Sequence, residues 1–157
     1  MKNSLDVLSE SLDMKIQVLK DIQKYNEDQR EAFELDDPDM DSFDGAIEEK
    51  DVLIERLIKL DEGFESLYSE ISEELNNNKE KYSDKIKLIQ DKISEITELS
   101  ATVQAQEARN KKLIEAYFAK QRNGIKKNRV SSKAAYDYYR NMSGMNLPPV
   151  SIMDSKH

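Results

Sequence analysis

MDSFDGAIEEKDVLIERLIKLDEGFESLYSEISEEL, residues 40–75, decides the fold of this 157-residue chain. Its apolar residues recur in alternating steps of three and four, which is the spacing of one face of an α-helix. Leu53, Leu60 and Leu67 form a second row beside the first. Two neighbouring rows make a stripe wide enough to contact two other helices. The stretch therefore predicts one long helix that packs against two partners.

Similar helical patterns lie on both sides of this stretch. The first runs from about Ser4 to Leu35 and ends before Pro38, because the residue that precedes a proline avoids helical backbone angles. The third runs from about Tyr82 to Tyr117 and follows three asparagines, residues 76–78, which suit the end of a helix. Short connections make consecutive helices antiparallel.

The predicted fold class is therefore all-α, an elongated antiparallel helical bundle or coiled-coil hairpin of about three long helices. We expect the bundle to occupy residues 1–121. Residues 122–157 form a basic tail that contains tyrosine and methionine. Within the tail, residues 131–140 are long enough for two or three helical turns, and residues 141–157 have the composition of an irregular or disordered segment.

The composition excludes most kinds of catalytic or metal site. The chain has no cysteine and one histidine, His157, so thiolate sites, two-histidine metal sites and histidine-based triads are excluded. Asp37, Asp39, Asp41 and Glu48 have calcium-loop spacing, but Ser42 replaces the required glycine, and helix capping is the better interpretation. We expect no enzyme activity, no cofactor and no metal.

No segment is apolar enough to predict a membrane span or the core of a signal peptide, so we expect a cytoplasmic protein. Charge is unevenly distributed along the chain. Residues 1–104 contain 13 basic and 28 acidic side chains, and residues 105–157 contain 11 basic and 4 acidic ones. An acidic bundle with a basic tail explains this pattern. Binding of nucleic acid by residues 109–133 is a weaker alternative, because no groove-reading motif is present and the sequence pI is about 4.8.

Polar residues interrupt the apolar faces of all three helices. Lys50 and Asp61 interrupt the second face. They fix the register of the helices, extend their polar groups to solvent from the edge of the core, or make a polar contact with a bound helix. Asn26 and Gln29 weaken the later half of the first face. The third face becomes polar between Ser100 and residue 112, which predicts that this half packs less well or packs against another protein.

Three tyrosines, Tyr136, Tyr138 and Tyr139, lie close together in the tail. Tyr136 and Tyr139 share a face at helical spacing. This short segment either docks onto the bundle of its own chain or binds a partner, because tyrosine suits adaptable recognition surfaces.

Taken together, the chain resembles the FlgN family of flagellar type III export chaperones. The resemblance rests on residues 37–54, an acidic step followed by apolar residues, a Glu-Lys pair and a leucine-rich stretch. It rests also on residues 110–114, an asparagine followed by an apolar pair, and on a tail tyrosine that corresponds to Tyr136. The resemblance implies a cytosolic chaperone that binds the C-terminal helices of hook–filament junction proteins, prevents their premature assembly and delivers them to the export gate.

The resemblance places client binding on the third helix and gate docking near Tyr136. A chaperone for amphipathic helices needs an apolar groove that its own chain leaves partly unfilled. The expected partner-binding residues are Val103, Asn110, Leu113, Ile114, Tyr117, Phe118, Tyr136 and Tyr139. We expect a monomer or weak dimer. The alternative function is that of a structural coiled coil that self-associates through its second and third helices.

Overall fold

A computed structural model of the chain describes residues 4–123 and 138–139. These residues form three long helices: α1, Ser4–Ala32; α2, Met40–Asn77; and α3, Ser83–Asn123. The described part of the chain contains no strand. The predicted all-α class is confirmed.

The connection between α1 and α2 lies at the predicted position, but α1 ends three residues early, at Ala32. The amides of Phe33 and Glu34 donate to carbonyls three residues back, both at 3.0 Å, which tightens and ends the helix. Asp39 then caps α2. Its carboxylate accepts from the Ser42 amide at 3.1 Å and from the Ser42 hydroxyl at 2.8 Å. These hydrogen bonds stabilise the ionised carboxylate and lower the pKa of Asp39.

The three asparagines at 76–78 end α2 as predicted. The Asn78 amide donates to the Leu75 carbonyl at 3.2 Å, and its side chain donates to the Glu74 carbonyl at 2.9 Å. The Tyr82 hydroxyl then donates to the Glu74 carboxylate at 2.9 Å, across the turn. Carbonyls that the helix end leaves unpaired are thereby satisfied, and the chain can reverse direction within a few residues.

The helix that packs closely along both others is α1, whereas α2 and α3 make few close backbone approaches to each other. Contacts show the directions: Lys15 pairs with Asp61, and Gln29 with the backbone of Phe43, so α2 runs antiparallel to α1. Along α3, Lys85 pairs with Asp6 and Gln106 with Glu27, so α3 runs parallel to α1.

The sequence favoured α2 as the helix with two partners, because its apolar stripe is the clearest. In the structure, the second leucine row of α2 (Leu53, Leu60 and Leu67) is only half-buried at the side of the core. The less regular stripe of α1 is buried more completely, because helices lie along it on two sides. α2 thus packs along α1 and touches α3 through Lys50 and Glu107, whereas α1 packs along both other helices.

The core divides along the bundle into three regions. Most of its length is apolar, and the most fully buried side chains there are Leu8, Leu12, Leu19, Ile22, Leu57, Ile89, Ile93 and Ile96. Next comes a polar layer, by which we mean Asn26, Gln29, Lys50, Glu107 and Asn110, all of them buried. The bundle then closes with an end cluster of four aromatic residues, Phe33, Phe43, Tyr117 and Phe118.

Candidate functional site

The centre of the polar layer is the ammonium group of Lys50, which is fully buried. It donates to the Asn26 side-chain oxygen at 2.7 Å and to a Glu107 carboxylate oxygen at 2.8 Å. The Glu107 side chain is itself only 7% exposed. The buried Lys50–Glu107 ion pair and the Asn26 amide beside it therefore bring together one residue from each helix.

Amide side chains complete the layer between α1 and α3. Asn110 donates to the Asn26 backbone carbonyl at 3.1 Å and to the Gln29 side-chain oxygen at 3.2 Å. Gln29 in turn donates to the Phe43 carbonyl at 3.2 Å, which ties α1 to α2. Every member of the layer has a partner on another helix, so the layer fixes one axial register for the bundle.

Two residues of the tail, Tyr138 and Tyr139, lie against the same layer. Tyr138 and Tyr139 are 4% and 6% exposed. The Tyr138 hydroxyl donates to the second Glu107 oxygen at 2.8 Å, a contact with a residue 31 positions earlier. The Lys50 ammonium lies 4.5 Å from the centre of the Tyr138 ring, within the range of a cation–π interaction. The two tyrosine rings meet edge to face, with centroids 4.9 Å apart.

Burial controls the titration of these groups. It lowers the pKa of Lys50, and the neighbouring Glu107 carboxylate offsets part of that effect. Burial raises the pKa of the Tyr138 hydroxyl far above its usual value, and the charge and hydrogen bond of Glu107 raise it further. The pKa of Tyr139 is raised as well, first by burial and then by Glu107. Both tyrosines therefore stay protonated wherever the segment is docked.

A second ion pair joins α1 and α2 in the apolar region. Lys15 donates to Asp61, and their side chains are 3% and 19% exposed. Burial lowers the pKa of Lys15 and raises that of Asp61, and their hydrogen bond opposes both shifts. Lys50 and Asp61, which interrupt the α2 face in the sequence, are therefore both explained by partners within the chain.

The predicted partner-binding residues separate into three groups. Val103, Asn110 and Ile114 are buried inside the bundle. Leu113, Tyr117 and Phe118 are half-buried. Tyr139 is buried against the polar layer, and Tyr136 lies outside the described residues.

The expectation that the polar seam of α3 packs poorly or waits for another protein needs correction. Its buried polar members, Glu107 and Asn110, face Lys50 of α2 and two amides of α1. Polar side chains of the same chain therefore satisfy this part of the seam. The partly covered apolar surface of α3 lies further along, at Leu113, Tyr117 and Phe118.

That surface borders the end cluster. The Phe33 ring contacts the rings of Phe43 and Tyr117 edge to face, with centroid distances of 5.4 and 6.1 Å. Tyr117 and Phe118 contact each other with centroids 6.0 Å apart. α1 ends at Ala32, and Phe33, the next residue, contacts this part of α3 through the Tyr117 ring.

Sequence reasoning missed Glu107 as a member of the site. A signal was present, because Asn26, Lys50, Glu107 and Asn110 all occupy positions where the seams should be apolar. Buried polar groups need partners, so several such interruptions on different helices favour a shared layer. The register that brings them together was not available from one helix at a time.

The outer face of α1 and α2 carries a shallow cleft of about 410 Å³. Its lining includes Tyr25 and Ala46 together with the acidic residues Asp28, Glu31 and Glu49.

None of the helices found in residues 4–123 and 138–139 has an apolar stretch that could span a membrane.

Comparison with known proteins identifies the class. The described residues place a buried ion pair, with Tyr138 hydrogen-bonded to it, in a three-helix bundle. The family model described as FlgN protein matches residues 1–140, and the chain belongs to the FlgN family. Members of this family are flagellar export chaperones, which confirms the resemblance found in the sequence. Searches of curated proteins and of solved structures gave no match.

Proposed function

We propose that this chain binds the C-terminal amphipathic helices of hook–filament junction proteins in the cytoplasm, prevents their premature assembly and delivers them to the export gate. Client binding is assigned to the C-terminal part of α3, and gate docking to the tail segment that contains Tyr136. The chain acts as a monomer or weak dimer and needs no cofactor.

The observation that carries the proposal is the unequal length of the helices. α1 ends at Ala32, opposite the region of Asn110, whereas α3 continues to Asn123. Beyond that level α3 carries Leu113, Tyr117 and Phe118, which are half-buried, and Ile114, which is buried. An apolar strip that the described residues cover only in part is the kind of surface that the apolar face of a client helix needs.

The charges beside the strip support the same assignment. Lys111, Lys112 and Lys120 are exposed on this part of α3. Basic side chains at the edge of an apolar strip attract the acidic groups on the polar face of an approaching helix, and they restrict its orientation. The client must also be released later. Its helix becomes ordered when it binds, and this cost keeps the affinity low enough for release.

A substitution of Leu113→Glu tests this assignment. It places a charge on the strip at a half-buried position, so the affinity for a junction-protein C-terminal peptide should fall at least about tenfold while the helical circular dichroism is unchanged. Ala116→Glu is the matched control, because Ala116 is an exposed α3 residue and the charge change is the same. Ile114 is unsuitable, because it is 2% exposed and a charge there would destabilise the bundle itself.

Titration calorimetry with a junction-protein peptide measures the affinity of both variants and of the unmodified chain. Loss of binding in Leu113→Glu alone supports the strip. Equal affinity of the two variants and the unmodified chain overturns the assignment of the strip. A failure of the unmodified chain to bind any junction-protein peptide overturns the proposed client class.

A further inference from the structure

Tyr138 and Tyr139 together form what we call the tyrosine latch. We propose that the latch is an internal competitor of the client: it occupies the α2–α3 face at Lys50 and Glu107, and a client helix must displace it to bind along α3. This inference rests on the proposed function, because it concerns the regulation of the same surface.

The latch is held by specific contacts. The Tyr138 hydroxyl is bonded to Glu107 at 2.8 Å, and the Tyr138 ring lies over the Lys50 ammonium. A hydrogen bond to a carboxylate and a cation–π contact in a buried site are both stronger than their counterparts in water. The docked latch therefore covers the Lys50–Glu107 ion pair.

The same latch contains a feature that favours release. The Tyr139 hydroxyl is buried and has no hydrogen-bond partner among the described residues. In water that hydroxyl would be solvated, so docking loses hydrogen bonds that nothing in the described site replaces. Tyr138 thus strengthens the docked state and Tyr139 weakens it. Such a balance suits a contact that must open.

The geometry makes the latch and a client helix exclusive. On α3, Glu107, Ile114 and Phe118 lie on one face, because they are seven and four positions apart. One heptad of helix spans about 10 Å. Phe118 lies eleven positions after Glu107, which is about 16 Å or three turns. A client helix that covers Phe118 and continues along this face for about three turns toward the start of α3 therefore reaches Glu107, where Tyr138 already lies.

Two conservative substitutions should change client affinity in opposite directions. Tyr138→Phe removes the bond to Glu107, weakens the latch and should raise the affinity for a junction-protein peptide about three- to tenfold. Tyr139→Phe removes the unpartnered hydroxyl, strengthens the latch and should lower the affinity about two- to fivefold. The double variant Tyr138→Ala with Tyr139→Ala should bind most tightly. Tyr25→Ala, a half-buried tyrosine of α1, is the control and should leave affinity unchanged.

Titration calorimetry with the full chain separates the outcomes. Opposite shifts in the two phenylalanine variants support the latch, because a merely structural role would lower affinity in both. Equal affinity in all variants overturns the latch and leaves the proposed function standing. Absence of binding in every variant, including the double one, overturns the proposed function and the competition with it. Circular dichroism at the titration temperature verifies that each variant is folded.

Discussion

Replacing Lys50 by methionine should be among the most destabilising single changes in this bundle. Methionine has nearly the same length, so it fills the space of a side chain that is fully buried. It removes the ammonium group that bonds Glu107 at 2.8 Å and Asn26 at 2.7 Å. Among the described residues, the Glu107 carboxylate then keeps the Tyr138 hydroxyl as its one hydrogen-bond partner and has no counter-charge bonded to it.

The expected magnitude follows from that uncompensated charge. Removal of one partner from a buried ion pair costs about 3–5 kcal/mol, mostly because the remaining ion is desolvated. Neutralising both partners, with Lys50→Met and Glu107→Gln together, should cost only about 1–2 kcal/mol, because no buried charge is left. The double variant should therefore be more stable than Lys50→Met alone by about 1–4 kcal/mol.

Urea unfolding followed by far-ultraviolet circular dichroism measures these free energies. Lys59→Met is the matched control, because Lys59 is exposed on the same helix, and it should change the free energy of unfolding by less than about 0.5 kcal/mol. A cost below about 1 kcal/mol for Lys50→Met would show that the ion pair is not buried as described. If the free-energy costs of Lys50→Met and Glu107→Gln simply add in the double variant, the two side chains are not coupled.

Two further predictions concern titration and association. The docked latch keeps Tyr138 and Tyr139 protonated, so at least two of the seven tyrosines should form tyrosinate well above pH 10 in a spectrophotometric titration. Tyr138→Phe should remove one of these two late-titrating tyrosines. The pKa of each docked tyrosine is higher than its pKa in the unfolded chain, so the stabilisation from docking is complete below about pH 10. Above that pH it falls by about 1.4 kcal/mol per pH unit for each tyrosine. A free energy of unfolding that stays constant across that range would contradict this prediction. Light scattering should give the mass of a monomer or a concentration-dependent dimer, whereas a fixed larger oligomer would favour the coiled-coil scaffold.

The helices themselves could be predicted, because local rules determine their ends. Pro38 and the asparagines at 76–78 place both connections correctly, and the start of α2 at Met40 agrees with the sequence pattern. α3 extends to Asn123, two residues beyond the predicted end of the bundle at residue 121, and the apolar pattern fades at Tyr117, before the helix ends. Helix propensity and solvation can continue a helix after its buried face has ended.

The polar layer shows what a helix-by-helix reading could not provide. Asn26 and Lys50 were recognised as interruptions, but whether each is a defect or one half of a pair depends on the axial register of three helices. That register is a property of the assembled core. For this reason the polar seam of α3 was wrongly expected to need another protein, whereas Glu107 pairs with Lys50 inside the chain. The position of Tyr138 poses the same problem, because this residue contacts Glu107, which lies 31 positions earlier in the chain.

Amide hydrogen exchange of the full chain, measured with and without a junction-protein C-terminal peptide, tests the central claim most directly. The account predicts that the peptide increases protection over residues 113–121, decreases it at Tyr138 and Tyr139, and leaves Ile22 to Gln29 of α1 unchanged. Protection gained only on the outer face of α1 and α2, or a docked latch that keeps its protection when the peptide is bound, would contradict it.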